Sequence, residues 1–327
     1  MNRRGALIVL GAVVLAGPLP TISLAQPRPI PRIGLLIPET MNTDAARIDA
    51  LRSGLRERGY IEGRNIVIEA RAADGNYDRL PGMAAELVAL KVDAIVVFGS
   101  KAVSAAQGAT TTIPIVDPVM GDPIAAGLGT SLARPGKNVT GSVQFSVEAG
   151  AKRLEFLKEA APRIARAAVM INPANPGSAR QVQAIRATAN ALNVDLRVFE
   201  IHGEAELAAM FATIERDRVD AILVPTDSLF RANAAEISDR AAKLKLPSAG
   251  SREYANAGGL IGYGPDAVDL YRHAAYFVDR IIKGAKPAEL PIEQATKVDL
   301  VINLRTAKTL GIAIPQTLLV RANDVVR

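Results

Sequence analysis

The chain has 327 residues, 49% of them hydrophobic and 22% charged, which fits two domains of ordinary size and excludes disorder as the main state. It holds no cysteine and only two histidines, so neither a disulfide framework nor a zinc site built from Cys or His clusters is available to it. The formal charge of +6 is mild, and no Lys/Arg-rich run is interleaved with aromatics, which leaves nucleic-acid binding without support.

At the N-terminus, Arg3 and Arg4 lead into an apolar run from Ala6 to Ala16 and a proline-broken segment ending Ser23-Leu24-Ala25. A charged start, an apolar stretch too short to span a bilayer and an A-x-A-like site predict an export signal over residues 1–25, cleaved near Ala25. The two arginines are the only charges before residue 26, so removing them leaves +4 on the mature chain. No cysteine exists to carry a lipid.

After Pro27 to Pro31, Ile33 to Ile37 reads as a strand ending at Pro38-Glu39-Thr40, followed by a helix that puts Ile48, Leu51 and Leu55 on one face and closes at Gly59. A strand over Ile66 to Glu69, a helix over Leu80 to Leu90, a strand from Val92 and a fourth strand over Ile113 to Val116, ending at Asp117-Pro118, complete the first half. Strands alternating with helices at this spacing predict βαβ units and a parallel sheet, with right-handed crossovers placing every strand's carboxyl end on one edge. The pattern resumes after Val139 to Val143. It gives a helix with Leu154 and Leu157, a strand over Ala168 to Ile171 ending at Asn172-Pro173-Ala174-Asn175-Pro176, and a helix with Val182, Ile185 and Leu192. A strand over Leu196 to Ile201, a helix with Leu207, Met210 and Ile214, and a strand from Val219 follow. A helix bearing Ile237 and Leu244, a short strand over Pro247 to Gly250 and the glycine-rich run Gly258 to Gly264 come next. Asp266 opens a long helix with Leu270, Ala274, Phe277 and Ile281, ended by Gly284; Val298 to Asn303 and Leu318 to Arg321 read as short strands.

Val219-Asp220-Ala221-Ile222-Leu223-Val224-Pro225-Thr226-Asp227 echoes the earlier Val92-Asp93-Ala94-Ile95-Val96-Val97-Phe98-Gly99-Ser100. Each is a short apolar run, as in a strand buried on both faces, and each ends in small polar residues where open α/β sheets bind ligands. The echo predicts two similar α/β lobes facing each other across a cleft. We expect a first lobe of residues 31–144 with 257–286 and a second of 145–256 with 287–327, the chain crossing near 144, 255 and 287.

Catalytic and cofactor motifs are missing. No Gly-x-Ser-x-Gly elbow or Gly-x-x-x-x-Gly-Lys-Ser/Thr loop occurs, and Gly258 to Gly264 do not spell Gly-x-Gly-x-x-Gly. Pro38-Glu39 occupies the first βα turn, where a dinucleotide fold needs glycine. His202 follows a strand end, within reach of a cleft, and His273 lies inside the last long helix. No catalytic group, metal site or cofactor is assigned. What remains is a set of short polar residues at strand ends: Glu39, Asn76, Ser100, Asp117, Asn172, Asn175, Thr226, Asp227 and Ser251, with Tyr254 beside them. Each is a candidate helix cap or ligand contact. The first N–H groups of a helix suit a carboxylate, and an Asp in a closed cleft suits an ammonium group, so an amino-acid-like ligand fits, its amine on Asp117 or Asp227. Tyr77, Phe98, Phe145, Phe230 and Tyr254 are aromatic candidates for holding an apolar side chain.

The runs Ile113-Pro114-Ile115-Val116, Gly121-Asp122-Pro123 and Ser131-Leu132-Ala133-Arg134-Pro135-Gly136-Lys137-Asn138-Val139-Thr140-Gly141 closely resemble one family, the tryptophan/tyrosine-type substrate-binding proteins of ABC transporters. Lys152 to Lys158, Asn172 to Gly177 and Leu300 to Lys308 carry the resemblance on, and it covers residues 31 to 327. It implies a type I periplasmic binding fold, two Rossmann-like lobes joined by three crossovers, that closes on a small molecule and presents it to a membrane permease. It also implies a periplasmic location and, for the ligand, an amino acid or related aromatic carboxylate; a monomer suits that role. The chain departs from the family's pattern at Gly99-Ser100-Lys101-Ala102, where a Thr/Ser-Pro-rich turn is usual, and at Asp117, where an apolar residue is common. A secreted enzyme with a carboxylate pair, or a co-receptor that passes its closed state to a kinase, are the alternatives.

Overall fold

The computed structural model describes residues 29–124, 126–144, 146–175, 177–295 and 297–327; the expected export signal, Phe145 and Pro176 lie outside the described residues. The first half runs β1 (Arg32–Ile37), α1 (Ala45–Glu57), β2 (Val67–Ala72), α2 (Leu80–Ala89), β3 (Ala94–Val97), α3 (Ser100–Ala109), β4 (Ile115–Met120) and β5 (Val139–Val143). Next come α4 (Ser146–Ala160), β6 (Arg166–Ile171), α5 (Ser178–Ala191), β7 (Asp195–Glu200), α6 (Leu207–Arg216), β8 (Ala221–Leu223), α7 (Ser228–Ala232), α8 (Ala234–Lys243) and β9 (Ser248–Gly250). The chain ends with α9 (Arg252–Asn256), β10 (Ile261–Gly264), α10 (Ala267–Ile282), β11 (Glu293–Gln294), β12 (Asp299–Asn303), α11 (Leu304–Leu310), α12 (Gln316–Arg321) and β13 (Asp324–Val326).

The strands form two sheets, ordered β11-β5-β4-β3-β1-β2 and β13-β12-β10-β9-β8-β6-β7. The first is parallel throughout, and the second is parallel except where β12 runs against β10. The order β2-β1-β3-β4-β5 in one sheet recurs as β7-β6-β8-β9-β10 in the other. The echoed Val-Asp-Ala-Ile strands, β3 and β8, thus hold the same place in two repeated lobes. Both are wholly buried, because helices cover both faces of each sheet and leave room only for continuous apolar sequence.

Each lobe has its own cores. On one face of the first sheet, Ile33, Leu35, Val96 and Phe98 pack under α1 and α10, and on the other face Leu36, Ile95 and Val97 pack under α2 and α3. The second sheet is covered in the same way, with Val169, Leu223 and Ile302 on one side and Met170, Ile222 and Val224 on the other. Gly54 explains how α1 and α10 come so close: a Cβ there would lie 2.1 Å from the Arg272 carbonyl oxygen.

Two expected boundaries move. The sequence pattern puts the glycine-rich run, with 257–286, in the first lobe, but β10 belongs to the second sheet, where Ile261 and Gly262 pair with Ala249 and Gly250. Its small residues make room for Tyr254, whose ring atoms lie within 2.6 Å of a Cβ built at Gly250 or Gly259. The chain returns to the first lobe only after Gly264, as α10. Its last crossing falls beyond β11, because Glu293 and Gln294 pair with Ser142 and Val143, and not near 287. Leu318 to Arg321 is also helical and not a strand: Pro315 opens the turn, and Leu318 is buried against the second core. The expected single helix after Asp227 is two short ones, α7 and α8, sharing Asn233 as the end of one and the cap of the next.

Candidate functional site between the two lobes

β3 and β8 end opposite each other. Past β3, α3 begins at Ser100, and past β8, α7 begins at Ser228; a Cβ built on Gly99 would lie 3.9 Å from the Ser228 Cβ. The space between holds a cavity of about 140 Å³. One water needs about 10–15 Å³ of such space, so the cavity is of small-molecule size. Phe98, Val103 and Leu128 from the first lobe and Val224, Phe230 and Tyr254 from the second give it apolar walls.

Ser100, Asp117, Asn175, Thr226, Asp227, Ser251 and Tyr254, drawn from both halves of the sequence, line this one cavity. Glu39, Asn76 and Asn172 do not. Glu39 is buried beside it and accepts the Tyr77 hydroxyl at 2.6 Å; burial pushes its carboxyl above the usual range. Asn76 is exposed and makes no side-chain cap bond. Asn172 is buried behind the wall and holds another residue in place: its amide donates to Asp227 Oδ1 at 3.2 Å.

Asp227 is the more heavily bonded of the two candidate ammonium partners. Its Oδ1 also caps α7 by accepting the Leu229 N–H at 2.9 Å, and its Oδ2 accepts the Asn175 amide at 2.8 Å. Thr226 is held by Arg153, whose Nη2 donates to the Thr226 hydroxyl at 2.9 Å while its Nε donates to the Tyr263 carbonyl. Arg153 is fully buried, and burial lowers its pKa to about 10. The other candidate, Asp117, is 2% exposed. Its Oδ1 accepts the Val119 N–H at 3.0 Å, and burial pushes its carboxyl up to about 7. It sits where the pairing of β4 with β5 slips register, and the bulge brings its backbone onto Gly141, where a Cβ would lie 1.9 Å from the Asp117 carbonyl oxygen. Ser251 caps α9, accepting the Tyr254 N–H at 3.4 Å, and the Tyr254 hydroxyl is spent on Ser248 at 2.9 Å.

Composition and spacing did not flag the ion pairs that cross between the lobes. Arg47 Nη2 donates to Glu253 Oε1 at 3.1 Å, Arg231 Nη2 donates to Asp44 Oδ2 at 3.1 Å, and Arg180 pairs with Asp122. Burial works against the Glu253 carboxylate, but the Arg47 charge together with hydrogen bonds from Ser251, the Glu253 backbone N–H and Arg47 holds Glu253 below the usual range. The signal was present: Arg47 falls one turn before Leu51, and Arg153 one turn before Leu157, each on the buried face of its helix. A charge on an apolar stripe has a partner waiting across the interior. His202 is exposed and turned to Glu206, away from the cavity.

The model of the ABC transporter substrate binding protein family matches residues 39–326. The chain belongs to this family. A tyrosine-binding protein of Clostridioides difficile (strain R20291) is 28% identical over 258 residues, 78% of this chain and 74% of that one. Among solved structures, an ABC domain from Streptococcus pneumonia in complex with L-Trp is 26% identical, covers 90% of this substrate-binding protein and 99% of its own chain, and superposes with a TM-score of 0.85. The ligand-free, open structure of a substrate-binding protein with adhesive properties from Clostridium difficile is also 26% identical, covers 91% and 99%, and superposes at 0.66. The fold is the type I periplasmic binding fold. Among the described residues of this substrate-binding protein, no group of three His, Cys, Asp or Glu is placed to hold a metal ion, and no helix is long and apolar enough to cross a membrane.

Proposed function

We propose that this chain is the exported solute-binding component of an ABC importer. It captures an amino acid or related aromatic carboxylate between its lobes by hinge closure and presents the closed form to a membrane permease. The observation that carries the reading is the cavity between β3 and β8, lined from both lobes by an amine-ready carboxylate, a helix start and aromatic walls. The ligand carboxylate meets the first N–H groups of α3 and the Ser100 hydroxyl, and the ammonium meets a carboxylate of the wall. Phe98 and Phe230 flank the side chain. The relatives named for tyrosine and crystallised with L-Trp support this ligand class.

Closure is supported by the better superposition on the L-Trp complex than on the open structure, at equal identity. Polar contacts to a charged ligand strengthen as water is excluded, so the ligand favours the closed arrangement. The chain works as a monomer, without cofactor or catalysis, in the periplasm, after cleavage near Ala25. Sequencing the N-terminus of the exported protein tests the last point: a start at Gln26 is expected, and retention of residues 1–25 refutes it.

Thermal shift of the purified protein against aromatic, branched and polar amino acids and aromatic carboxylic acids tests the ligand class. A ligand at 100 times its Kd adds about 2.7 kcal/mol, which raises the melting point by roughly 5–10 °C for domains of this size. A rise with aromatic amino acids, and their recovery unchanged afterwards, is the expected result. No rise with any amino acid or aromatic acid removes the ligand assignment, and turnover of a bound ligand refutes the binding-only role.

A further inference from the structure

The charges around the cleft do not cancel. Arg47 is matched by Glu253, Arg231 by Asp44, and Asp122 by Arg180. Asp227 has no ion pair among the described residues, but two Asn amides and a helix N–H already serve its oxygens. Asp117 has neither. Among the described residues it makes no ion pair, its Oδ1 accepts the Val119 N–H, and its Oδ2 has no partner. A carboxylate that is 2% exposed and lines a cavity, with one backbone hydrogen bond to offset its lost hydration, is costly to keep. An apolar residue of similar volume would cost the fold less. The cost is recovered when a cation arrives from the cavity side, because a desolvated ammonium–carboxylate pair with good geometry is among the stronger polar contacts.

We propose that Asp117 is the specificity-determining residue of the cleft. It receives a cationic nitrogen of the ligand, so the ligand class is amine-bearing, and acids that lack an amine are excluded. This rests on the reading of the cleft as an amino-acid-type site and narrows it. The geometry also gives Asp117 a signature that a structural residue lacks. Its carboxyl, raised by burial to about 7, is half protonated near neutral pH without ligand and becomes fully ionised against a cation, so binding releases protons. Tyr271 from α10 feels the Asp117 charge, and the other charged and titratable groups that line the same cavity are Arg47, Asp122, Asp227, Arg231 and Tyr254. Tyr271 stays neutral in this range, its phenol raised by burial, so it does not supply those protons.

The test is calorimetry with L-phenylalanine, L-tyrosine, L-lysine, phenethylamine and 3-phenylpropanoate, on the parent chain and on Asp117→Leu and Asp117→Asn. The parent is expected to bind at least one amine-bearing probe and to reject 3-phenylpropanoate. Asp117→Leu is expected to lose about tenfold or more in affinity for that amine, while melting no lower than the parent. At neutral pH the parent's binding enthalpy varies with the ionisation enthalpy of the buffer; in Asp117→Asn it does not. Parent binding of an amine with the same preference, affinity and proton release in both variants overturns the role of Asp117 and leaves the ligand class standing. A parent that binds 3-phenylpropanoate as well as L-phenylalanine overturns the amine requirement. A parent that responds to none of the probes overturns this inference together with the ligand class it rests on.

Discussion

A single buried carboxyl makes a statement about stability as well as binding. Asp117 titrates near 7 in the folded chain and near 4 when unfolded. Between those values the folded chain holds a proton that the unfolded chain has released, so this group's contribution to stability falls as pH rises from about 4 to about 7 and is level above. Replacing it by Leu removes the fall: melting curves of parent and Asp117→Leu are expected to diverge in the variant's favour from about pH 4 to about pH 7 and to run parallel above. A constant difference across that range would mean the carboxyl is not raised. Asp227 behaves differently because its oxygens are shared among α7, Asn172 and Asn175. Asp227→Ala loses the cap, a cost of about 1 kcal/mol, and weakens ligand binding. Asp227→Asn keeps a capping oxygen and loses the charge. Calorimetry and urea unfolding of the pair separate the roles: weak binding at near-parental stability in Asp227→Asn is expected, and parental affinity there would limit Asp227 to capping.

At the scale of elements, the β4 bulge shows how local geometry builds the site. Gly141 stands at φ +141, and a Cβ there would overlap the Asp117 carbonyl oxygen at 1.9 Å. Gly141→Ala therefore both strains its own backbone and pushes β4 away, and a loss of about 2–4 kcal/mol is expected from urea unfolding; a loss under about 1 kcal/mol would mean the bulge relaxes freely. Most elements were legible in the sequence because their apolar spacing matches their burial. Leu207, Met210 and Ile214 fall on one helical stripe, and β3 and β8 are apolar throughout because both their faces are covered. β10 was not legible, because Gly258, Gly259, Gly262 and Gly264 dilute its apolar signal, and its strand character comes from partners distant in sequence, Ala249 and Ile302. The site divides along the same line. Residues at strand ends such as Ser100 and Asp227 announce themselves by position, whereas Arg47 and Glu253 matter because of each other, 206 positions apart.

For the whole molecule, the question is what holds two separately cored lobes together. The pairs Arg47–Glu253 and Arg231–Asp44 lie at the cleft, and Asp44 is fully buried between both arginines, 3.0 Å from one and 3.7 Å from the other. Under the proposed hinge closure, opening the lobes would hydrate Arg231 and separate it from Asp44, so these pairs would act on the open–closed balance and little on the stability of either lobe. Asp44 does not line the cavity, which makes it the clean probe. In Asp44→Ala the closed form must bury Arg231 beside Arg47 with no carboxylate between them, so the open form gains population without ligand. Small-angle scattering is expected to show a larger radius of gyration for the ligand-free variant, returning to the parent's value at saturating ligand. Affinity should fall only by the lost fraction of closing-competent molecules, about threefold to tenfold. An unchanged radius with weakened binding would instead mean that Asp44 shapes the cavity wall through Arg231, and that closure is governed by contacts other than these ion pairs.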